Sequence, residues 1–176
     1  LDFSDCNTNG QHDPCEIAAN PGLDADANGV LDACESVGMN PGCQTVANST
    51  GVLSSFIGIG SSSLAANSLQ LSGMNMPRYT WGYPIVSQTA ASVLPPGAVG
   101  FRCVGGLVGR DLGNVFNTGD PGSALVPVDL TAIPQPNGAQ VATVGQTWHW
   151  QLWHRDSFGG MPTSTFTDSL LVTITN

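Results

Sequence analysis

From residue 43 onward, short apolar runs alternate with turn signals. The runs are rich in Val, Ile, Leu, Thr and aromatic residues, and the turns include Asp120-Pro121-Gly122 and Pro136-Asn137-Gly138. Short strand-like runs separated by turns are typical of an all-β sandwich or barrel, and no long stretch shows helical periodicity. We predict an antiparallel β-sandwich with strands near residues 51–60, 64–73, 78–87, 98–104, 112–117, 123–131, 145–155 and 164–175.

The strongest strand pattern lies at residues 146–155, where tryptophans and polar residues alternate. Successive side chains of a strand point to opposite faces, so Trp148, Trp150 and Leu152 share one face. We predict that this face belongs to the core. The opposite face carries a second set: His149, Gln151 and Trp153.

That second set has two interpretations. In one, Trp153, His149 and Gln151 form an aromatic and polar strip that stacks on a sugar. In the other, Trp153 packs under a loop while the polar residues face solvent, because clustered tryptophans are more often core than binding platform. Alternating aromatic residues in another strand are a second candidate for sugar binding: Tyr79, Trp81 and Tyr83.

Before residue 43 the chain repeats one polar motif. Residues 5–16 (loop 1) and 24–35 (loop 2) are two twelve-residue copies that start nineteen residues apart. Each has oxygen-bearing side chains at positions 1, 3, 5, 9 and 12 and glycine at position 6, the ligand pattern of an EF-hand-type calcium loop. The predicted ligands are Asp5, Asn7, Asn9, Gln11, Asp13 and Glu16 in loop 1, and Asp24, Asp26, Asn28, Val30, Asp32 and Glu35 in loop 2.

Calcium takes about six to eight oxygen ligands, so the chain must turn sharply around it. Glycine permits that turn, and the next residue, Gln11 or Val30, offers its backbone carbonyl. The two glutamates of the chain, Glu16 and Glu35, both fall at position 12, where a bidentate carboxylate is needed. Turns rich in Asp, Asn and Gly also occur without metal, but two complete matches favour two Ca²⁺ ions.

Acidic residues are concentrated in the same segment. Residues 1–42 hold eight of the 13 acidic residues and no Lys or Arg, so most of the formal charge of −9 lies there. We expect the segment to be ordered with calcium and loose without it. Loop 2 has one more carboxylate than loop 1 and should bind calcium more tightly. Cys6 and His12 lack the spacing of a tetrahedral zinc site.

Apolar residues are too few in this segment for it to fold unaided. We therefore predict two regions: a tandem calcium-loop segment at 1–42 with at most short helical turns, and a β-sandwich domain at 43–176. The segment needs calcium, a disulfide and a docking surface. That surface belongs either to its own β-domain or to a neighbouring molecule.

Five cysteines, four of them within the first 43 residues, indicate an oxidising compartment and therefore secretion. We favour a bridge between Cys43 and Cys103 and a second bridge among Cys6, Cys15 and Cys34. An odd count leaves one cysteine without an intrachain partner. That cysteine is either buried and inert or joined to a second chain.

Several functions are not expected. The chain has no lysine, four arginines and a pI near 4.2, which leaves no basic footprint for nucleic acid. No apolar run approaches the roughly eighteen residues that span a bilayer, and we expect a mature form without a signal peptide. Neither a nucleophile elbow nor a phosphate loop occurs. We predict that the protein is not an enzyme.

The Asp-Cys-Asn-x-Asn-Gly motif resembles dockerin repeats and thrombospondin type 3 repeats, and Ala25 replaces the usual cysteine in loop 2. Further matching stretches are Cys43, Asn48 to Gly51, Cys103 to Gly106, Gly109-Arg110, Val128 to Thr131, Gly145 to Asp156 and Thr163 to Asp168. In these, residues 43–176 resemble the C-terminal β-domain of secreted proteins of planctomycete-type bacteria. The resemblance implies secretion, calcium and a β-fold, and no particular chemistry.

The sequence thus predicts a secreted, calcium-binding structural or assembly module, such as a fibre, surface-layer or extracellular matrix subunit. Such a module would self-associate or dock on another extracellular protein, and chelating calcium would convert large particles into monomers. The alternative is a carbohydrate-binding or adhesion module that uses Trp153 or the strip formed by Tyr79, Trp81 and Tyr83.

Overall fold

The computed structural model describes residues 5–6, 9–24, 27–43 and 45–176. One short helix, α1 (Asp13–Ala19), is accompanied by 3-10 turns at Pro21–Leu23, Asp32–Cys34 and Leu112–Asn114. Within the described residues, no helix is long and apolar enough to cross a membrane. The strands are β1 (Ser36–Val37), β2 (Ser55–Ile59), β3 (Gln70–Met74), β4 (Trp81–Ser87), β5 (Thr89–Val93), β6 (Arg102–Gly105), β7 (Gly109–Arg110), β8 (Phe116–Asn117), β9 (Ala124–Pro127), β10 (Thr147–Phe158) and β11 (Met161–Thr173).

The strands form two main sheets and a separate hairpin. The first sheet has the order β1-β2-β3-β9, the second has the order β11-β10-β4-β7 with β8 also on β4, and β5 pairs with β6. All these ladders are antiparallel. The main apolar cluster joins Phe56 and Leu71 of the first sheet to Trp150 and Val172 of the second. The all-β class is confirmed, with the two sheets packed as a sandwich.

Strand β10 buries the face that its alternation predicts. Trp148, Trp150 and Leu152 are at most 1 % exposed. Burying a large apolar side chain contributes about 2–3 kcal/mol relative to leaving it exposed. The hairpin to β11 closes at Gly159 and Gly160, whose φ values of +57° and +79° suit a tight two-residue turn.

The outer face of the second sheet is covered by the β5–β6 hairpin, over a small buried cluster formed by Ile85, Val104 and Phe166. Gln151 lies on this face and is fully buried. Its Nε2 donates to the carbonyl oxygens of Phe101 (3.0 Å) and Thr167 (2.8 Å). Its Oε1 accepts from the N–H of Cys103 at 2.9 Å. Gln151 therefore ties the hairpin to the sheet and does not face solvent.

Three observed strands fall outside the predicted ranges: β1, β5 and β7. Strands β1 and β7 have two residues each, too few to show an alternation, and β5 is mostly exposed. Each is defined by its pairing with another strand: β1 with β2, β5 with β6 and β7 with β4. Strand β3 starts later than predicted, since the N–H of Asn67 bonds to the carbonyl of Ser63 in a turn and Asn67 has a φ of +45°.

The N-terminal segment docks on its own β-domain. Strand β1 extends the first sheet by pairing with β2, and Met39 exchanges two backbone hydrogen bonds with Leu171 in β11 (2.9 and 2.8 Å). Gly38 lies between β1 and Met39 and has a φ of +86°. A Cβ atom on Gly38 would lie 2.6 Å from the carbonyl oxygen of Leu171. Only glycine fits this approach. In loop 2, Leu31 is 2 % exposed.

Candidate functional site

Loop 1 folds around the carboxylate of Asp5. The two oxygens of this carboxylate accept hydrogen bonds from the backbone N–H groups of Asn9 (3.0 Å) and Gly10 (2.9 Å). The Oδ1 of Asn9 accepts from the N–H of Gln11 at 2.8 Å, and its Nδ2 donates to Oε1 of Glu16 at 2.6 Å. Gly10 has a φ of +87°, which glycine adopts without strain.

Loop 2 repeats this geometry at equivalent positions. Asp24 accepts from the N–H groups of Asn28 (3.0 Å) and Gly29 (2.8 Å). The Oδ1 of Asn28 accepts from the N–H of Val30 at 2.8 Å, and its Nδ2 donates to Oε1 of Glu35. Gly29 has a φ of +89°. The two copies of the motif therefore share one hydrogen-bond pattern, position by position.

In each loop these bonds place the side chain of position 5 against the glutamate at position 12, and the carboxylate of position 1 against the backbone of the turn. The Asp13 carboxylate accepts from the N–H of Cys6 at 3.1 and 3.3 Å. Asp24 is 7 % exposed, whereas Asp5 is only half-buried. Two predicted ligands, Asn7 and Asp26, lie outside the described residues. The donor set is oxygen-rich and suits a hard divalent cation.

A disulfide joins the two loops. Cys6, at position 2 of loop 1, is bonded to Cys34, at position 11 of loop 2, with a Cα–Cα distance of 6.0 Å. A carboxylate oxygen of Asp13 lies within 4.8 Å of both sulfurs. Sulfurs bonded to each other are not thiolates, so this group is not a soft-metal centre. It shows instead that position 9 of loop 1 packs beside the disulfide.

The second disulfide joins Cys43 to Cys103, as the sequence predicts, with a Cα–Cα distance of 6.0 Å. It connects the end of the N-terminal segment to strand β6. Cys15 is free and exposed. The expectation that the unpaired cysteine is buried is therefore wrong. Cys15 occupies the position in loop 1 that corresponds to Cys34 in loop 2.

A cavity of about 490 Å³ separates the loops from the first sheet. Two predicted ligand residues, Glu16 and Asp32, line one side. Apolar side chains also line it, among them Leu23, Leu31, Ile59 and Leu125, together with the polar Ser68 and Gln70. Beside this space, β1 continues the chain from loop 2 onto the edge of the first sheet.

The residues of the predicted sugar-binding strip, Trp153, His149 and Gln151, do not form one exposed surface. Trp153 pairs across the sheet with Tyr83, with ring centroids 4.8 Å apart at 30°. Gln151 is buried and bonded as described, so it is not part of an exposed strip. His149 is half-buried, and burial lowers the pKa of its imidazole. Trp81 is 54 % exposed and does not line the cavity beside Trp153 and Tyr83.

Trp153 and Tyr83 line a second cavity of about 160 Å³ on the outer face of the second sheet. The other lining residues are Ile85, Pro95, Arg102, Val108, Arg110 and Phe166. Sequence reasoning missed the two arginines, because β6 and β7 contribute them from positions remote from both aromatic residues. The cavity thus combines two aromatic rings with two guanidinium groups.

A buried polar network at the other end of β10 was also missed. His154 is fully buried, with Nε2 3.3 Å from Oγ of Ser54 and Nδ1 3.2 Å from the carbonyl oxygen of Arg155. Asn48 donates to Ser54 Oγ at 2.9 Å, and Asp156 accepts from the N–H of Ser49 at 3.0 Å. Continuing the alternation of β10 beyond Leu152 would have placed His154 and Asp156 on the core face.

We expect the free energy of unfolding to fall as the pH drops from 7.5 to 5.5 with calcium saturating. Burial lowers the pKa of His154 below its ordinary 6.5. Below pH 6.5 the imidazole is therefore protonated in the unfolded chain while it is still neutral in the folded chain, which favours unfolding. The loss is at most about 1.4 kcal/mol per pH unit for one group. Urea titrations at several pH values measure it.

The matched variants for this titration are His154→Gln and His149→Gln. His154→Gln should flatten the slope of stability against pH, even though it lowers stability at every pH. His149→Gln should remove a smaller part, because His149 is only half-buried and its pKa is lowered by the same cause. An unchanged slope in His154→Gln would contradict the assignment.

Comparison of the chain with protein-family models, with curated proteins and with solved structures finds no match.

Proposed function

We propose that the protein is an extracellular structural module in which two Ca²⁺ ions stabilise the N-terminal segment against its own β-sandwich. The observation that carries this proposal is the shared hydrogen-bond pattern of loops 1 and 2. In both copies the contacts of positions 1, 5, 6, 7 and 12 gather the oxygen-bearing side chains that a calcium loop uses as ligands.

The charges of the loops support the same proposal. Seven of the predicted ligand side chains are carboxylates, and no Lys or Arg lies in residues 1–42. Carboxylates held this close repel one another unless a cation lies between them. One Ca²⁺ ion in each loop would supply that cation. The carboxylate oxygens would bind it at roughly 2.3–2.6 Å.

The weak docking of the segment gives calcium a structural role. Strand β1 has two residues, and a large cavity lies between the loops and the first sheet. Leu31 is the one buried apolar side chain that the described part of the segment contributes to the core. Such a segment gains little from apolar burial, so cation binding that requires the folded loops adds directly to its stability.

Extracellular location is part of the proposal. Two disulfides are compatible with an oxidising compartment, and extracellular calcium modules function with dissociation constants of about 10⁻⁴–10⁻³ M. Assembly into a fibre, surface layer or matrix would use surfaces other than the edge of β2, because β1 already covers that edge.

Hydrogen exchange with and without EGTA tests the proposal. Calcium titration calorimetry should find two ions per chain. In EGTA, backbone amides of loop 2, β1 and β2 should lose protection, while those in the β10–β11 hairpin keep theirs. The matched control is Asp129→Asn, which removes a carboxylate outside the loops and should leave calcium binding unchanged. Equal exchange with calcium and EGTA would overturn the proposal.

Light scattering on the same samples separates the two structural roles. Stabilisation within one chain predicts monomers in calcium, and EGTA would expose the edge of β2 and promote association. Assembly through calcium predicts the reverse, with large particles in calcium and monomers in EGTA. That second result would replace docking within the chain by docking between chains.

A further inference from the structure

The cavity beside Trp153 and Tyr83 has the features of a small ligand site. It lies on the outer face of the second sheet, open to solvent between the β5–β6 hairpin and the strand that follows. Its volume of about 160 Å³ is below the roughly 300 Å³ of sites for drug-sized molecules, so it accommodates a single small ring. The tilted pair of aromatic rings forms one wall.

Two positive charges converge on this cavity in a protein of formal charge −9. Arg102 and Arg110 are two of only four arginines, and both line it. No carboxylate of the described residues pairs with either, since the ion pair found there joins Arg78 to Asp120. No acidic residue lines the cavity. The electrostatic environment therefore favours an anion.

Arg102 also has a hydrogen-bond donor that is left unpaired. Its Nε is buried and has no hydrogen-bond partner within the described structure. A buried donor on a charged group is costly when unpaired, and such groups normally find an acceptor. A carboxylate is the acceptor whose geometry matches a guanidinium, because two parallel N–H···O bonds form at once.

We propose that this cavity binds one acidic sugar of the uronic acid class. The carboxylate lies against Arg102 and Arg110, the apolar ring face lies against Trp153 or Tyr83, and the Tyr83 hydroxyl bonds to a sugar hydroxyl. The cavity has room for one ring, so the interior of a polymer does not fit. The ligand is therefore a free monosaccharide or the end of a glycan chain, and the site is independent of the calcium loops.

Titration calorimetry with D-glucuronate tests the site. D-glucose and the methyl ester of glucuronate should bind at least about tenfold more weakly, because they lack the carboxylate charge. Arg102→Gln and Arg110→Gln should each weaken glucuronate binding about tenfold, while the controls Arg78→Gln and Trp81→Ala leave it unchanged. A polymer with glucuronate at its ends, compared with the monosaccharide, distinguishes the two sources of ligand.

Three outcomes would overturn the proposal. Equal affinity for glucuronate and glucose would show that the carboxylate charge is not recognised. Tighter binding of benzoate than of glucuronate would show that the site does not select a sugar ring. Binding that disappears in EGTA but survives both arginine variants would assign the sugar to calcium in the loops. Binding that persists in EGTA and falls in Arg102→Gln supports the site, whatever the fate of the calcium proposal.

Discussion

Replacing Glu35 by Gln should weaken calcium binding at loop 2 by about 100-fold or more, since ligand charge sets affinities of such loops over several orders of magnitude. In the proposed site, position 12 would supply the bidentate carboxylate, whereas glutamine offers one oxygen and no charge. The substitution leaves the metal-free loop intact, because the new amide oxygen still accepts from Nδ2 of Asn28 as Glu35 does. Titration calorimetry measures the change directly.

Glu16→Gln is the matched control, at the same position of loop 1 with the same bond to an asparagine amide. It should remove the weaker of two binding events and leave the tighter one. Loop 2 is assigned the tighter event because it has the extra carboxylate and because Asp24 is nearly buried. If Glu35→Gln and Glu16→Gln both left two unchanged binding events, the glutamates would not be ligands.

The turns of loops 1 and 2 were the most predictable part of the molecule, because their hydrogen bonds are local. Asp5 and Asp24 bond to backbone groups four and five residues ahead, so spacing alone specifies the turn. The sequence could not show that β1 lies on β2. Two residues carry no pattern, and the close approach at Gly38 depends on Leu171, far along the chain.

Alternation in β10 predicted the tryptophan core but not the fate of the opposite face. A period of two says which side chains share a face, and it does not say what covers that face. The β5–β6 hairpin covers Gln151, whose amide satisfies backbone groups on both sides. The polar residue that looked like a ligand contact is therefore a structural one.

The aromatic cavity was only half predicted for a similar reason. Trp153 and Tyr83 appeared as separate candidates, and pairing of β10 with β4 joins them. Arg102 and Arg110 belong to short strands whose positions depend on sheet order. Contacts between residues distant in sequence are decided by topology, which single-strand patterns do not contain.

Removing the disulfide between Cys43 and Cys103 should lower the free energy of unfolding by about 4 kcal/mol, because the bond closes a loop with a sequence separation of 60. The chain-entropy cost of such a loop is large, and Cys103 is buried beside the carbonyl that Gln151 bonds. The double variant Cys43→Ala, Cys103→Ala leaves no new buried polar group. Urea unfolding in saturating calcium measures the difference.

Two further variants show whether that loss is specific. Cys15→Ala removes a free, exposed thiol and should change stability by less than about 0.5 kcal/mol. The pair Cys6→Ala, Cys34→Ala should act mainly on calcium affinity, because this bond holds the two loops together while the sandwich core lies elsewhere. If Cys15→Ala destabilised the protein as much as loss of the Cys43–Cys103 bond, the assigned pairing would be wrong. If loss of the loop-to-loop disulfide left calcium affinity unchanged, each loop would hold its ion without the other.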